Sequence, residues 1–147
     1  MRGWLGVVSQ SHVQRGVSEG FAQLCHGKAE PLRRMRRGDW LVYYSPSVQM
    51  GETPLRAFTA IGTVLDEDVF PHDMGGGFVP FRRRVRYLHV NEVPLTAIKH
   101  RLLLCSKPHW SILLRRGHLL LEPPDLLTIA QAMGVDQNAI QQMGVSS

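Results

Sequence analysis

Apolar and polar positions along this chain recur in short segments of differing period, and those periods predict where strands and helices form. Residues 3–9 are an apolar, β-branched run bounded by polar residues, the pattern of a short buried strand. Ser11 then serves as a cap for a helix over residues 12–22, with Val13, Val17 and Phe21 recurring at a spacing of four as its inner face. Cys25-His26-Gly27-Lys28 interrupts the pattern as a loop, Pro31 opens a short helix over 32–36, and Gly38-Asp39 signals a turn. Residues 40–44 are rich in Val and Tyr and read as a strand stopped by Ser45-Pro46-Ser47. A second strand covers 58–65, where Gly62 marks a bulge or a close backbone approach. After the flexible Gly75-Gly76-Gly77 turn, residues 79–90 form a long strand, Pro94 opens a helical segment over 95–100, and 119–121 form a short strand. Pro123-Pro124 begins a last helix whose Leu126, Ile129, Ala130 and Met133 stand at i, i+3, i+4 and i+7, and Gly134 ends it.

Strands are thus spread along the chain with short helices between them. No segment repeats, and no interior stretch is rich enough in Gly, Ser or Pro to divide it. The expected organisation is one α+β domain over 1–147, with 135–147 as a tail. The regular strand–helix alternation of a doubly wound sheet is missing. Strands curled into a small barrel, with helices packed at its openings, fit better.

Composition narrows the function classes. The chain has 147 residues, 44% of them hydrophobic and 20% charged, enough for a sizeable core without disulfide or metal. No apolar run approaches the roughly 20 residues that span a membrane, and the first residues lack the pattern of a signal peptide. The two cysteines, Cys25 and Cys105, are too few for a disulfide scaffold and suit a reducing cytoplasm. The net charge is +5, and 14 of the 17 basic residues are Arg. Arg presents a planar fork suited to phosphates and to stacking on bases, although GC-rich coding DNA gives the same bias. The charge argues against basic partners.

Side chains alternate faces along a strand, so Val79, Phe81, Arg83, Val85 and Tyr87 share one side of the 79–90 segment. That face is mostly apolar and should turn inward. It carries Arg83 with it, and a guanidinium there needs a carboxylate or a ligand. Arg82, Arg84 and Arg86 form a stripe on the other face, and Arg33, Arg34, Arg36 and Arg37 a second cluster beside the turn. On one surface the two clusters would track phosphates; apart, they are solvated charge. Trp110, in a loop before Arg115 and Arg116, is the aromatic best placed to stack on a base, whereas most aromatics of so small a domain belong to its core. Cys25 and His26 are adjacent and do not readily converge, and His100, Cys105 and His109 lack a second cysteine pair, so no metal site or cofactor is expected. The glycine triplet has neither the Lys-Ser/Thr nor the strand–loop–helix context of a phosphate loop, and no catalytic signature appears.

An ordered set of motifs resembles the EVE domain family, a branch of the PUA-like superfamily related in fold to the YTH and ASCH domains. The set runs through Trp4-Leu5-Gly6-Val7-Val8-Ser9 with His12-Val13, Gly20-Phe21-Ala22-Gln23 leading to His26-Gly27-Lys28, Pro31-Leu32-Arg33-Arg34-Met35 and Gly38-Asp39-Trp40-Leu41-Val42-Tyr43-Tyr44-Ser45-Pro46. It continues with Pro54 to Gly62, Phe78-Val79-Pro80-Phe81-Arg82-Arg83, and Trp110 with Leu114-Arg115-Arg116-Gly117. The matches cover nearly the whole chain to about Gly134 and look like the bacterial branch in which the domain is the entire protein. Two positions depart from the pattern: Cys25 stands where relatives tend to have Asn, and Ser111-Ile112 where they tend to have Gly-Tyr.

The resemblance implies a mixed barrel of five to six strands with a pocket between barrel and helices. It implies nucleic-acid binding, DNA or RNA, in some members with recognition of a modified base such as methylated cytosine. Carried over residue by residue, the pocket candidates are Ser9, His12, Gln23, His26, Lys28, Tyr44, Ser45, Pro46, Arg83 and Trp110. The expected phosphate contacts are Arg33, Arg34, Arg36, Arg37, Arg82, Arg84, Arg86, Arg115 and Arg116. Two other classes stand beside a base reader: an enzyme acting on a nucleotide or nucleic acid, and an adaptor that takes a small ligand.

Overall fold

The computed structural model describes residues 1–142. Its centre is a mixed sheet curled into a half-barrel. β1 (Gly3–Val7) lies between β3 (Trp40–Ser47), its parallel neighbour, and β8 (His118–Leu121), its antiparallel one. β3 pairs antiparallel with β4 (Pro54–Val64), and β4 with β6 (Phe81–Tyr87). With β2 (Phe21–Ala22) outside β6, the order is β2-β6-β4-β3-β1-β8. β5 (Phe70–Pro71) and β7 (Val93–Pro94) are short additions to β6 and β4.

The central strands are covered on both faces. The first six residues of β3, Trp40 to Ser45, are all buried. Their alternation sends Trp40, Val42 and Tyr44 into one cluster and Leu41 and Tyr43 into another. The first cluster is closed by α3 (Leu95–Ile98), α5 (Pro123–Ala132) and α6 (Gln137–Gln142) through Ile98, Leu126, Ile129 and Ile140, and the short α4 (Trp110–Leu113) packs against it through Trp110 and Leu113. The second is closed by α1 (Gln10–Glu19) and α2 (Ala29–Arg33) through Val13 and Leu32. Phe58 and Ile61, three residues apart, would face opposite sides of a regular strand. The register shift opposite Tyr43 and Tyr44 lets both join the first cluster.

Gly62 is required by a close approach: a Cβ there would lie 2.5 Å from the Arg86 carbonyl oxygen. Asp39 ties the start of the chain to the turn before β3. Its carboxylate accepts from the Trp4 indole N–H (3.0 Å) and from the backbone N–H groups of Arg2 (3.2 Å) and Arg36 (2.8 Å).

Several expected boundaries move. The first helix is α1, preceded by Ser9 and not Ser11, and it ends at Gly20 in the left-handed conformation. Phe21 therefore belongs to β2, and Val17 is left 41% exposed. Four residues turn a helix about 400°, so an i, i+4 row drifts off the buried face, here held by Val13 and Gly16. The 40–44 strand continues to Ser47, and the 79–90 strand shortens to β6. Within the expected tail of 135–147, Val135 and Ile140 are buried in the first cluster and α6 forms; residues 143–147 lie outside the described residues.

Candidate functional site

A cleft of about 750 Å³ opens where several chain segments end together. Val7, Val8 and Ser9 lead out of β1, His12 stands in the first turn of α1, and the Gln23–Lys28 stretch follows β2. Pro46, Ser47, Met50 and Gly51 come from the end of β3 and its loop, Phe78 from the loop before β6, and Leu114 to Gly117 from the turn before β8. Backbone bonds lock these ends together: Val7 N–H donates to Gly117 O (2.9 Å), Val8 N–H to Tyr44 O (3.1 Å) and Ser11 N–H to Val48 O (2.9 Å). The size suits a small-molecule or nucleobase site.

The wall is mostly apolar, with Val7, Val8, Leu24, Pro46, Met50, Phe78 and Leu114. Polar side chains interrupt it, among them Ser9, Gln23 and His12. Gln23 is 7% exposed, and its carboxamide oxygen accepts from Arg82 Nε at 3.0 Å. His12 is half-buried, and its Nε2 is buried without a hydrogen-bond partner among the described residues. Burial lowers its pKa, a bond to the Gln23 backbone works the other way, and Arg15 and Arg82 add to the lowering. The imidazole is thus held neutral.

The rim is basic. His26, Lys28, Arg115 and Arg116 are exposed there, and among the described residues none of them has an ion pair. Cys25, His26 and Gly27 take three successive left-handed conformations, with φ of 49°, 60° and 82°. Such backbone costs of order 1 kcal/mol per non-glycine residue and is enriched at functional sites. Burial pushes the Cys25 thiol up, opposed by Lys28 and Arg34, so it is a protonated thiol and a poor nucleophile. Its Sγ lies 3.8 Å from Arg116 O, and a Cβ on Gly117 would come within 3.0 Å of it.

Ser9, His12, Gln23, His26, Lys28 and Pro46 of the expected pocket residues line the cleft. The other four do not. Tyr44 is buried in the first cluster, edge-on to Phe58, and the Ser45 hydroxyl pairs with that of Thr59 at 2.8 Å. Trp110 packs against the first cluster, with Lys99 Nζ 5.0 Å over its ring. Arg83 is inward-facing, as its strand face requires, but at 0% exposure it meets the protein and not the cleft. Its Nε donates to Asp66 Oδ1 (2.6 Å), its Nη1 to Leu32 O and Met35 O (2.7 Å each), and its Nη2 to Asp66 O (2.6 Å). The two carbonyls stand at the C-terminal end of α2, where a cation is favoured.

The arginine clusters separate in the same way. Arg82 is not on a solvated stripe: it is 5% exposed, with its guanidinium 3.7 Å over the Phe21 ring. Arg84 is exposed and lies 4.9 Å over Phe70, and Arg86 is exposed. Arg37 pairs with Glu67 (3.3 Å), Arg33 with Asp68 (3.7 Å) and Arg34 with Glu30 (3.5 Å), all on the surface, while Arg36 has no ion pair among the described residues. The acidic run 66–68 thus takes one partner each from Arg83, Arg37 and Arg33. Cys25 lines the cleft, whereas Ser111 is exposed outside it. Phe78 and Met50 were missed as site residues. The signal was faint: each is a large apolar residue beside a glycine in a loop. Among the described residues no group of His, Cys, Asp and Glu is placed to hold a metal, and no helix is long and apolar enough to cross a membrane.

Comparison with known proteins gives one answer throughout. A family model described as the EVE domain matches residues 2–132. A UPF0310 protein of Bacillus subtilis is 45% identical over 135 residues, covering 90% of this chain and 92% of its own length. A UPF0310 protein of Streptococcus sanguinis is 42% identical over 145 residues, covering 95% and 99%. Among solved structures, a crystal structure from Agrobacterium tumefaciens superposes with a TM-score of 0.58 at 15% identity, covering 93% of this chain and 96% of that one. An NMR structure from Rhodopseudomonas palustris gives 0.54 at 18% identity, covering 94% and 97%. These two establish the shared fold.

Proposed function

This chain belongs to the EVE domain family, and from that premise we propose that it binds nucleic acid, taking one base into the cleft while the basic rim holds the adjoining phosphates. The observation that carries this reading is the arrangement of the cleft itself. An apolar wall interrupted by the buried Gln23 and the half-buried His12 is rimmed by Lys28, Arg115 and Arg116, which have no carboxylate partner among the described residues. Elsewhere Arg83, Arg37, Arg33 and Arg34 are taken by Asp66, Glu67, Asp68 and Glu30. A base taken from its stack costs a few kcal/mol. Phe78, the aromatic residue of the cleft wall and 47% exposed, supplies a stacking face that offsets roughly 1–3 kcal/mol of this. Phosphate contacts at the rim position the strand without reading its sequence. A base with an added methyl group meets the apolar wall of Val7, Val8 and Leu24, which favours a modified base over its parent.

Fluorescence anisotropy with labelled single- and double-stranded DNA and RNA, plain and carrying methylated cytosine, tests the reading. Binding should weaken steeply with added salt and fall on Phe78→Ala. No affinity for any strand at low salt would dismiss it, and turnover of a nucleotide substrate would favour an enzyme instead.

A further inference from the structure

The polarity of one cleft-wall group is dictated by its neighbour. Gln23 carries an acceptor oxygen and a donor NH2 on one carboxamide, and the two ends differ only in chemistry. Arg82 settles which end faces where, because a guanidinium has donors and no acceptor. Its Nε lies 3.0 Å from the Gln23 amide group, so the oxygen must be the atom that receives it. Arg82 is itself fixed: it is 5% exposed, lies 3.7 Å over the Phe21 ring, and directs Nη2 at Met74 Sδ at 3.6 Å. Turning the Gln23 amide over would set two donors against each other and leave a buried guanidinium N–H without an acceptor. The Ser9 hydroxyl of the same wall rotates and carries no such constraint.

We propose that Gln23 presents a fixed hydrogen-bond donor to the cleft, that Arg82 is the residue positioning it, and that the ligand edge opposite is an acceptor: a base carbonyl oxygen or an unprotonated ring nitrogen. This rests on the reading of the cleft as a base site. It also changes the role of Arg82, which acts through Gln23 and not on phosphate. An exocyclic amine, or a ring nitrogen that carries hydrogen, is rejected at this position because it would face a second donor.

The test uses the full chain and single-stranded DNA in which one base stands within an otherwise abasic tract. The base that binds best is compared with analogues in which one acceptor atom is replaced by C–H. The wild-type protein should lose about tenfold in affinity on deletion of the contacted acceptor. Gln23→Glu keeps an oxygen for Arg82 and replaces the donor by a carboxylate. It should bind the parent base at least tenfold more weakly and no longer respond to the deletion. Gln23→Met, which keeps the volume and removes both amide ends, carries the same expectation, so a folding defect in one variant leaves the other to decide. Arg82→Met should still bind the strand through the rim but lose the ratio between parent and deleted base, and Arg82→Lys should restore part of it. A purely structural role would not move that ratio. If the wild type prefers the base-bearing strand but both Gln23 variants bind it equally well, the inference falls and the base site stands. If the wild type does not distinguish the base-bearing strand from the fully abasic one, both fall.

Discussion

Replacing Arg83 by Met should destabilise the fold without touching the cleft. The guanidinium is fully buried and makes four hydrogen bonds, two to the end of α2 and two to Asp66. Methionine fills much of the volume but donates to none of these acceptors. Asp66 keeps the Arg84 backbone N–H at 3.0 Å, and Leu32 O keeps the Met35 N–H at 3.3 Å, so the acceptors are not all orphaned. Breaking a buried pair from one side costs about 3–5 kcal/mol. In a domain of this length that lowers Tm by roughly 10 °C. Urea unfolding followed by tryptophan fluorescence measures it directly, since Trp4 and Trp40 are buried reporters. Arg83→Lys should recover only part of the loss, because one ammonium cannot reproduce a fork aimed at four acceptors. Arg37→Met is the control: its pair with Glu67 joins two exposed side chains, and the change should stay within about 0.5 kcal/mol. An unchanged urea midpoint for Arg83→Met, or an equal loss for Arg37→Met, would refute the reasoning. At a temperature where Arg83→Met is folded, strand binding should be that of the wild type; a selective loss of binding would mean that Arg83 serves the ligand after all.

The remaining expectations concern acid, salt and a close contact. His118 is buried and stacked on Trp4 at 4.8 Å, and burial, aided by Arg34, brings its pKa down to about 4. The unfolded chain takes up this proton near pH 6.5 and the folded chain only near pH 4. Stability is therefore intact above the upper value and falls through that window by roughly 3 kcal/mol. His118→Phe should remove this part of the acid sensitivity in unfolding measured across pH. On the rim, Arg115→Ala with Arg116→Ala should reduce the slope of log affinity against log salt for single strands by about 1.4 with little change in Tm, while Arg33→Ala should alter it less because Asp68 already neutralises that charge. Gly62→Ala should cost at least about 1–3 kcal/mol in thermal unfolding, because its methyl group would press on the Arg86 carbonyl of the neighbouring strand.

Much of the fold was legible because period and punctuation are local. The final helix was bounded by Pro123-Pro124 and Gly134, and it forms over Pro123–Ala132 with Leu126 and Ile129 inward. Of the bulge and the close approach that Gly62 signals in the sequence, the close approach is the one present. Val17 was misplaced because its helix ends at Gly20, before the row it belonged to is complete. Residues 135–142 read as a tail in the sequence because their short apolar pattern, Val135 and Ile140, gains meaning only against the cluster it joins with α5.

The site divides along the same physical line. By itself the sequence determined which residues were chemically able to serve: a basic, arginine-rich chain, an ordered motif set that identifies its family, and an inward-facing Arg83 that had to find a partner. Only the tertiary structure decided how each arginine is employed. Asp66 lies 17 residues from Arg83, Leu32 lies 51 away, and Gln23 lies 59 from Arg82. Alternation along a strand says which face a side chain takes, but not which carbonyl, carboxylate or ring waits there. That depends on distances between remote segments. It makes Arg83 a structural tie and Arg82 the partner of Gln23, and among the described residues it leaves Lys28, Arg115 and Arg116 without an ion pair at the cleft rim.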